Sequence, residues 1–484
     1  MVLTRNTKSS SRKKPEREEE EESRQEECSS SPKPDEEKNS LRVFDHRIHK
    51  PRDSLFSSSS GFKDYRGFLN LAVILLILSN TRLLLENIIK YGILVDPIQW
   101  LTVILKDPHR WPCLTVCMAS NIFVVIALKM EQMLYQRSIP EKLGVAILIL
   151  NLSAVLIFPA VAVWFLPSYL LASFCTMILY SVVFLKLVSF VMVNRWYRLE
   201  ATGRISSLHF QHPERQRTHY DHNTHTVKEV SSSPQVSYPD NLTLKNMYYF
   251  YFAPTLCYEL NYPRTPKIRK MFLAKRILEV LLLTQVELAL AQQWLLPIMQ
   301  NSVEPLRDSD WSKIVERLLK LALPNHIMWI IGFYLIFHSL MNAVAEVMRF
   351  ADREFYRQWW NAETVKDFWR DWNMPVHRWA VRHLFVPLVD NGFKKWQAAC
   401  LVFLVSAFFH EYIVSVPLRI FRLWSFMGML SQIPIAAFVS RYLKGPYGNM
   451  AVWMSLIIGQ PLAILMYFHD YYVMARGQHF KSFA

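Results

Sequence analysis

One stretch of the chain carries residues able to do proton chemistry where such residues are expensive to place. The run from Ala398 to Val416 reads AACLVFLVSAFFHEYIVSV, with His410 and Glu411 side by side inside it. A neutral imidazole can take the proton of an attacking hydroxyl and hand it to a departing group, and its ordinary pKa suits both roles near neutral pH. An ionisable side chain at membrane depth costs a few kcal/mol even on lenient insertion scales, and such residues mark functional sites. The same pair also fits a helix end wetted by headgroups, or a histidine bonded to a neighbouring helix, and this stretch alone leaves the three readings open.

Other polar residues interrupt apolar runs. His338, Asn342 and Glu346 fall at i, i+4 and i+8, one stripe of a helix. Lys186, Glu279, Gln285, Glu287, Gln432, Gln460, His469 and Asp470 are similarly placed. Helix-to-helix hydrogen bonds account for such residues, and proton-coupled transporters carry them too. His209, His212, His219, His222 and His225 suit no single helix face and fit a solvated linker better than a metal site. The six cysteines are scattered; Cys113 and Cys117 share a helix face, but no partner pair or nearby histidine completes a zinc set, and no disulfide is implied.

The elements that must hold His410 are helices. Of the 484 residues, 51% are hydrophobic, and they cluster in blocks of about 20, the length that spans a bilayer core. Nine blocks, near 67–93, 111–134, 142–165, 167–195, 273–299, 322–348, 396–418, 423–441 and 448–474, predict an all-α polytopic membrane protein. The first 40 residues are polar and charged, so the first apolar helix serves as its own insertion signal, which points to the endoplasmic reticulum of a eukaryote. Much of the +15 net charge lies in the loops 196–272 and 349–395, which the positive-inside rule makes cytosolic. Nine spans from a cytosolic N-terminus leave the C-terminus in the lumen. The sequons at Asn151 and Asn241 then fall in the membrane and in the cytosol, where neither is used.

Residues 1–40 predict a disordered tail. Its Arg12, Lys13 and Lys14 are followed by Glu18 to Glu22, which cancels any field for nucleic acid. Residues 41–66 intersperse Leu41, Val43, Phe44, Ile48, Leu55 and Phe56 with charges, as an extended segment contacting a second copy of the chain would. Residues 67–484 make the transmembrane domain. Within its second cytosolic loop, DREFYRQWWNAETVKDFWRDWNMPVHRWAVRHLF begins at Asp352. Asn361 is a plausible N-cap for a helix with Val365, Phe368 and Trp372 on one face, ending at Pro375. A second short helix sets Trp379, Leu384 and Phe385 among Arg378, Arg382 and His383, and both read as amphipathic helices in the headgroup plane.

FYRQWWN, at Phe355, Tyr356, Trp359, Trp360 and Asn361, resembles the FYxDWWN signature of the sterol-ester and triglyceride branch of the membrane-bound O-acyltransferases. SAFFHEY resembles that family's intramembrane histidine helix, and SLIIGQP around Gln460 its ninth helix. FAPTLCYELNYPR from Phe252 and the HDYYV ending are similar to the members that esterify diacylglycerol, and Glu259, Leu260 and Asn261 separate it from the sterol-esterifying ones. The resemblance covers about Leu41 to Tyr472. It implies the family's fold of about nine transmembrane helices with cytosolic amphipathic helices, and transfer of an acyl group from acyl-CoA to the diacylglycerol hydroxyl. Sterol esterification and non-enzymatic lipid transport are the alternatives.

The resemblance also implies roles. His410 is the general base, and Asn373 lies near the thioester, where its amide can stabilise an oxyanion. Gln432 and Gln460 project into the reaction chamber, with Met429 and Glu411 in the substrate-binding set, although Glu411 can instead hold a neighbouring helix. Lys395, His377 and Ser406 are the contacts for the CoA phosphates and adenine, with Trp372 near the pantetheine. Acyl-CoA is a co-substrate, and the activated thioester asks for no metal or other cofactor. Diacylglycerol, membrane lipid and a second copy of the chain, as homodimer or homotetramer, are the remaining partners, and nucleic acid is not one. One position departs from the signature. Gln358 stands where the motif has aspartate, which favours a packing or loop-ordering role over a charged catalytic one.

Overall fold

The structure is a computed structural model that describes residues 66–96, 98, 112–166, 168–203, 218–221, 226–229, 236–302, 311–443 and 445–481. The tail 1–40, most of the segment 41–66, and His209, His212, His222 and His225 lie outside the described residues. Residues 66–79 belong to a first unit, and Asn80–Ala484 form the second, which holds everything analysed below.

The described chain is helical apart from one antiparallel hairpin, β1 (Thr218–Asp221) and β2 (Thr226–Glu229). Its helices are α1 (Arg66–Tyr91), α2 (Pro112–Tyr135), α3 (Glu141–Phe165), α4 (Leu170–Ala201), α5 (Leu244–Phe252) and α6 (Lys270–Leu290). There follow α7 (Trp311–Phe333), α8 (Val365–Asp371), α9 (Met374–Ala380), α10 (Lys395–Leu418), α11 (Trp424–Tyr442) and α12 (Pro446–Lys481). Three helices continue through a π turn: α6 at Ala291–Leu295, α7 at Tyr334–Leu340 and α9 at Val381–Phe385.

Each of the nine apolar blocks meets one long helix. Among the described residues six segments are long and apolar enough to cross a membrane: Cys113–Tyr135, Glu141–Phe165, Leu170–Ala201, Ser312–Val347, Lys395–Leu418 and Pro446–Tyr472. On α3, Ile149 and Leu150 are 59% and 69% exposed, which is how an apolar side chain meets lipid.

Inside, α2, α3 and α4 pack around Val124, Leu128, Leu148, Val155, Tyr180, Leu187 and Phe190. Polar groups in this core find partners on distant elements. Lys186 Nζ donates to the carbonyls of Phe250 and Ala253 at 2.8 and 2.7 Å, capping the C-terminal end of α5 where the helix dipole is negative. Arg198 joins Glu131 of α2 and Glu141 of α3, the latter at 3.0 Å. Ser189 Oγ accepts from Tyr258 N and is hydrogen-bonded to His383 Nε2, both at 2.7 Å. This serine–histidine contact resembles a nucleophile with its base, but Ser189 has no exposed surface, and the pair fastens α4 to the loop 253–262. Burial, and then the Arg382 charge, push the His383 pKa down to about 3. Both sequons are buried: Asn151 donates to Phe123 O at 3.1 Å, and Asn241 Nδ2 donates to Asn194 Oδ1 at 2.8 Å and Tyr258 Oη at 3.0 Å.

Two readings of local sequence are corrected. Thr364, not Asn361, caps α8: its Oγ1 accepts from Asp367 N at 3.1 Å, while Asn361 closes a 3₁₀ turn. Pro375 starts α9 instead of stopping α8, because proline at the first turn lacks only an N–H that the helix would leave unbonded. The stripe His338–Asn342–Glu346 also serves three separate ends. The π turn of α7 turns His338 to Tyr356 Oη at 2.9 Å, Asn342 Nδ2 bonds the His338 carbonyl at 2.8 Å, and Glu346 pairs with Arg269 and Arg353.

Lys186→Met keeps the apolar stem but strips two buried carbonyls of their donor. It should lower folding stability by about 2–3 kcal/mol, read as a lower melting temperature of detergent-solubilised protein with a parental rate per folded molecule.

Candidate active site

The site begins with an aromatic floor. Trp329, Phe333 and Phe337 from α7, Tyr356 and Trp359 from the FYRQWWN loop, Phe368, Trp369 and Trp372 at α8, and Trp453 from α12 pack as one cluster. Phe368 and Trp372 stack at 6.0 Å and 5°, and Trp359 stands edge-on to Trp329 at 5.2 Å. Offset and edge-on contacts of this kind stabilise by about 0.5–1.5 kcal/mol each beyond their buried area. The helices expected in the headgroup plane therefore belong to the packed body: Val365 and Phe368 are 1% and 2% exposed, and Trp379 Nε1 donates to Leu185 O of α4 at 2.8 Å.

Three helices rise from this floor. The connections 419–423 and 443–445 are short, so α10 and α12 run one way and α11 the other. On α10 Phe403 meets Trp369 at 6.1 Å, and His410 lies seven residues later on the same face. On α11 Val439 packs in the floor, and Gln432 lies seven residues earlier. On α12 Trp453 packs in the floor, and Gln460 lies seven residues later. Two helical turns are about 10 Å, so His410, Gln432 and Gln460 share one level above the aromatic rings.

His410 is exposed, in the middle of α10. Its Nδ1 lies 2.8 Å from the Ser406 carbonyl oxygen. A carbonyl only accepts, so Nδ1 carries the proton and Nε2 keeps its lone pair for a substrate hydroxyl. Gln432 and Gln460 are half-buried and make no hydrogen bond among the described residues, which leaves both amides available. Met429, one turn from Gln432 on the same face, is 7% exposed.

Asn373 caps α9, its Oδ1 accepting from Val376 N at 3.2 Å. The cap occupies the oxygen and leaves the NH₂ end as the outward donor. His377 is one turn on, its N–H bonded to Asn373 O at 3.0 Å. Burial, then the Arg370 charge, hold its pKa below the ordinary imidazole value, so near neutral pH it offers a neutral donor and not a cation. Lys395 is exposed at the first residue of α10. Fifteen residues separate it from His410, about 22 Å along the helix, so the two cannot touch the same end of a ligand. Ser406, between Phe403 and His410, uses its carbonyl to orient the base.

Glu411 does not stand with these residues. It is 6% exposed, and its carboxylate accepts from Ser415 Oγ, Tyr467 Oη at 2.7 Å, Leu423 N at 3.0 Å and Phe426 N at 3.1 Å. Adjacent residues on a helix point about 100° apart, so the bond that orients His410 leaves Glu411 turned to the neighbouring helices. Its place in the substrate-binding set is corrected to a clamp between α10, α11 and α12.

The FYRQWWN loop supports the floor. Phe355 is 2% exposed, and its carbonyl accepts from Met374 N at 3.0 Å. Trp360 O and Ala362 O accept from Asn449 Nδ2 of α12 at 3.0 and 2.8 Å. A Cβ on Gly448 would meet Glu363 O at 2.2 Å, so this approach requires glycine. Gln358 is exposed, its Oε1 only 3.5 Å from Asn361 Nδ2. Sequence reasoning passed over Asn325 and His326, two buried polar residues behind the floor, because a lone Asn-His pair in an apolar run has no spacing to read.

A histidine with a free Nε2, two unbonded amides and an amide donor near the floor are the kinds of group that acyl transfer uses. The chain belongs to the membrane-bound O-acyltransferase family, whose pattern it matches over residues 146–469. It is 52% identical over 434 residues, 90% of this chain and 86% of the relative, to diacylglycerol O-acyltransferase 1 of Bos taurus. The same enzyme of Homo sapiens is 53% identical over 88% of this chain and 85% of its own, and diacylglycerol O-acyltransferase 1A of Glycine max is 37% identical over 87% and 81%.

Two substitutions test the division of roles. Gln358→Asp should change the rate by less than about tenfold, or 1.4 kcal/mol of barrier, in an assay of initial rates; a change of several hundredfold would assign catalytic weight to charge there. Glu411→Ala should lower the melting temperature and folded yield, since each donor left unbonded costs about 1–3 kcal/mol. A raised KM for acyl-CoA with undiminished stability would return Glu411 to the substrate-binding set.

Proposed function

We propose that this protein transfers a fatty acyl group from acyl-CoA to the free hydroxyl of diacylglycerol, making triacylglycerol and CoA. The observation that carries the reading is His410: an exposed imidazole at membrane depth whose Nδ1–H is engaged by Ser406 O, so that Nε2 is left free to act as a base. Nε2 takes the hydroxyl proton as the oxygen attacks the thioester carbon. The carbonyl oxygen, now negative, draws hydrogen bonds from the Asn373 amide, with Gln432 and Gln460 positioning the acceptor. Collapse breaks the carbon–sulfur bond, and the imidazolium returns its proton to the CoA thiolate. Trp372 flanks the pantetheine, while His377 and the distant Lys395 meet the nucleotide end. No cofactor enters this sequence, since the thioester supplies the activation.

The setting we propose is the endoplasmic reticulum membrane, crossed nine times, with a cytosolic N-terminus and a lumenal C-terminus. The positive charge of the loops 196–272 and 349–395 supports this orientation. Residues 41–66, apolar side chains among charges, supply the contact of a homodimer or homotetramer.

The reaction is tested with purified protein and labelled oleoyl-CoA, offered diacylglycerol, cholesterol or retinol, with product identification. Triacylglycerol is expected, and a cholesteryl ester as main product would reassign the acceptor. His410→Ala should fold and bind acyl-CoA while turnover falls by about 10² or more, the usual contribution of a positioned base. Asn373→Ala should cost roughly 10² to 10³ in turnover. A His410→Ala protein that keeps its rate within about fivefold, a barrier change near 1 kcal/mol, would remove the base from this histidine.

A further inference from the structure

The aromatic floor contains donors that the mechanism above does not use. His326 and Asn325 of α7 are 7% and 8% exposed, and Trp359 is 5% exposed. Among the described residues, neither ring nitrogen of His326 has a hydrogen-bond partner, nor does Asn325 Nδ2 or Trp359 Nε1. His326 and Trp359 belong to one contact chain. The imidazole stacks on Trp329 at 5.5 Å and 22° and meets Trp453 edge-on at 5.4 Å, and Trp453 lies 5.6 Å from Trp359. A phenylalanine would stack as well as His326 without the desolvation penalty of two unbonded nitrogens. A position packed by two tryptophan rings and yet held by histidine points to a bonding partner outside the chain.

We propose that His326, with Trp359, forms a subsite that binds an uncharged carbonyl oxygen of a substrate. This rests on the acyl-transfer reading given above. The donors are imidazole and indole, with no guanidinium or ammonium in the set, so they match a neutral oxygen and not a phosphate. The walls are aromatic rings, which accept an apolar or extended chain on either side of that oxygen. Placement agrees with this use. Trp453 lies two turns from Gln460 on α12, so the subsite stands about 10 Å from the level of His410, while Trp329 links it to Trp372 at 6.1 Å. In the proposed mechanism the reacting thioester carbonyl is the one met by Asn373 and His410, and the carbonyl held here is a second one. Two sources carry such an oxygen: the amides of the pantetheine arm and the fatty ester groups of diacylglycerol.

The test uses full-length protein in nanodiscs, with His326→Phe, which keeps the ring and removes both nitrogens, and His326→Gln, which restores hydrogen bonding. Initial rates are measured against acyl-CoA and against the mole fraction of diacylglycerol, with melting temperature and direct acyl-CoA affinity on the same samples. His326→Phe should raise one KM about three- to tenfold, the worth of one neutral hydrogen bond, without lowering the melting temperature, and His326→Gln should recover at least half of the loss. A raised KM and weakened affinity for acyl-CoA assign the oxygen to a pantetheine amide. A raised KM for diacylglycerol alone assigns it to the acceptor ester. Unchanged values for both substrates, with an unchanged or raised melting temperature, would overturn the subsite. Should His326→Phe fail to fold, Trp359→Phe, which keeps an aromatic ring and removes Nε1, is read on the same axes, and unchanged KM values there overturn the proposal equally. Parent protein that forms no triacylglycerol would instead refute the acyl-transfer reading, since it fails before any variant is compared.

Discussion

The carboxylate of Glu411 is the interaction on which the site depends. In hydrocarbon no water repairs a missing hydrogen bond, so a buried charge must be met in full by the protein. Glu411 gathers Ser415 on its own helix, the backbone N–H groups of Leu423 and Phe426 at the start of α11, and Tyr467 of α12. Tyr467 also accepts from Ser425 N at 3.1 Å. These bonds fix the register of the three helices that carry His410, Gln432 and Gln460. Tyr467 lies two turns beyond Gln460, and Trp453 two turns before it, so the polar level is held between a carboxylate clamp and an aromatic floor.

The two ends of that arrangement use different physics. The clamp is directional, and a slip of one residue on any helix would leave donors unbonded. The floor is held by ring packing, which tolerates small shifts but not the loss of a ring. The FYRQWWN loop ties the floor to the start of α12, because the carbonyls of Trp360 and the following Ala362 bind Asn449 while Trp359 lies within the floor. That explains how glutamine can occupy the fourth position of the motif. The position is exposed, and the packing work falls to Phe355, Tyr356 and Trp359.

Farther from the site, long-range polar bonds replace the apolar driving force that lipid cannot supply between helices. Lys186 reaches the end of α5, Arg198 joins α2 and α3, and Ser339 donates to Glu279 of α6 at 2.8 Å. The π turns stand where such bonds are made: His338 and His383 both lie in one, each turned toward a partner that a regular α-helix would direct it past.

Much of this protein is determined by its sequence alone. Apolar blocks of membrane-spanning length dictate long helices, because backbone groups in lipid must bond within their own segment. A motif local in the chain, such as FYRQWWN or SAFFHEY, can be read without the fold. What the tertiary structure decided is the division of labour among neighbours. His410 and Glu411 are equivalent in a string, yet one is exposed and the other held in a clamp, since their directions diverge by about 100° and Glu411's partner Tyr467 is 56 residues away. The capping by Thr364 and Asn373 turned on backbone geometry at single residues. The shared level of His410, Gln432 and Gln460, and the unbonded His326 beneath it, exist only once α7, α10, α11 and α12 pack together. Local patterns report what a residue contributes to its own helix, and packing decides which group each side chain meets.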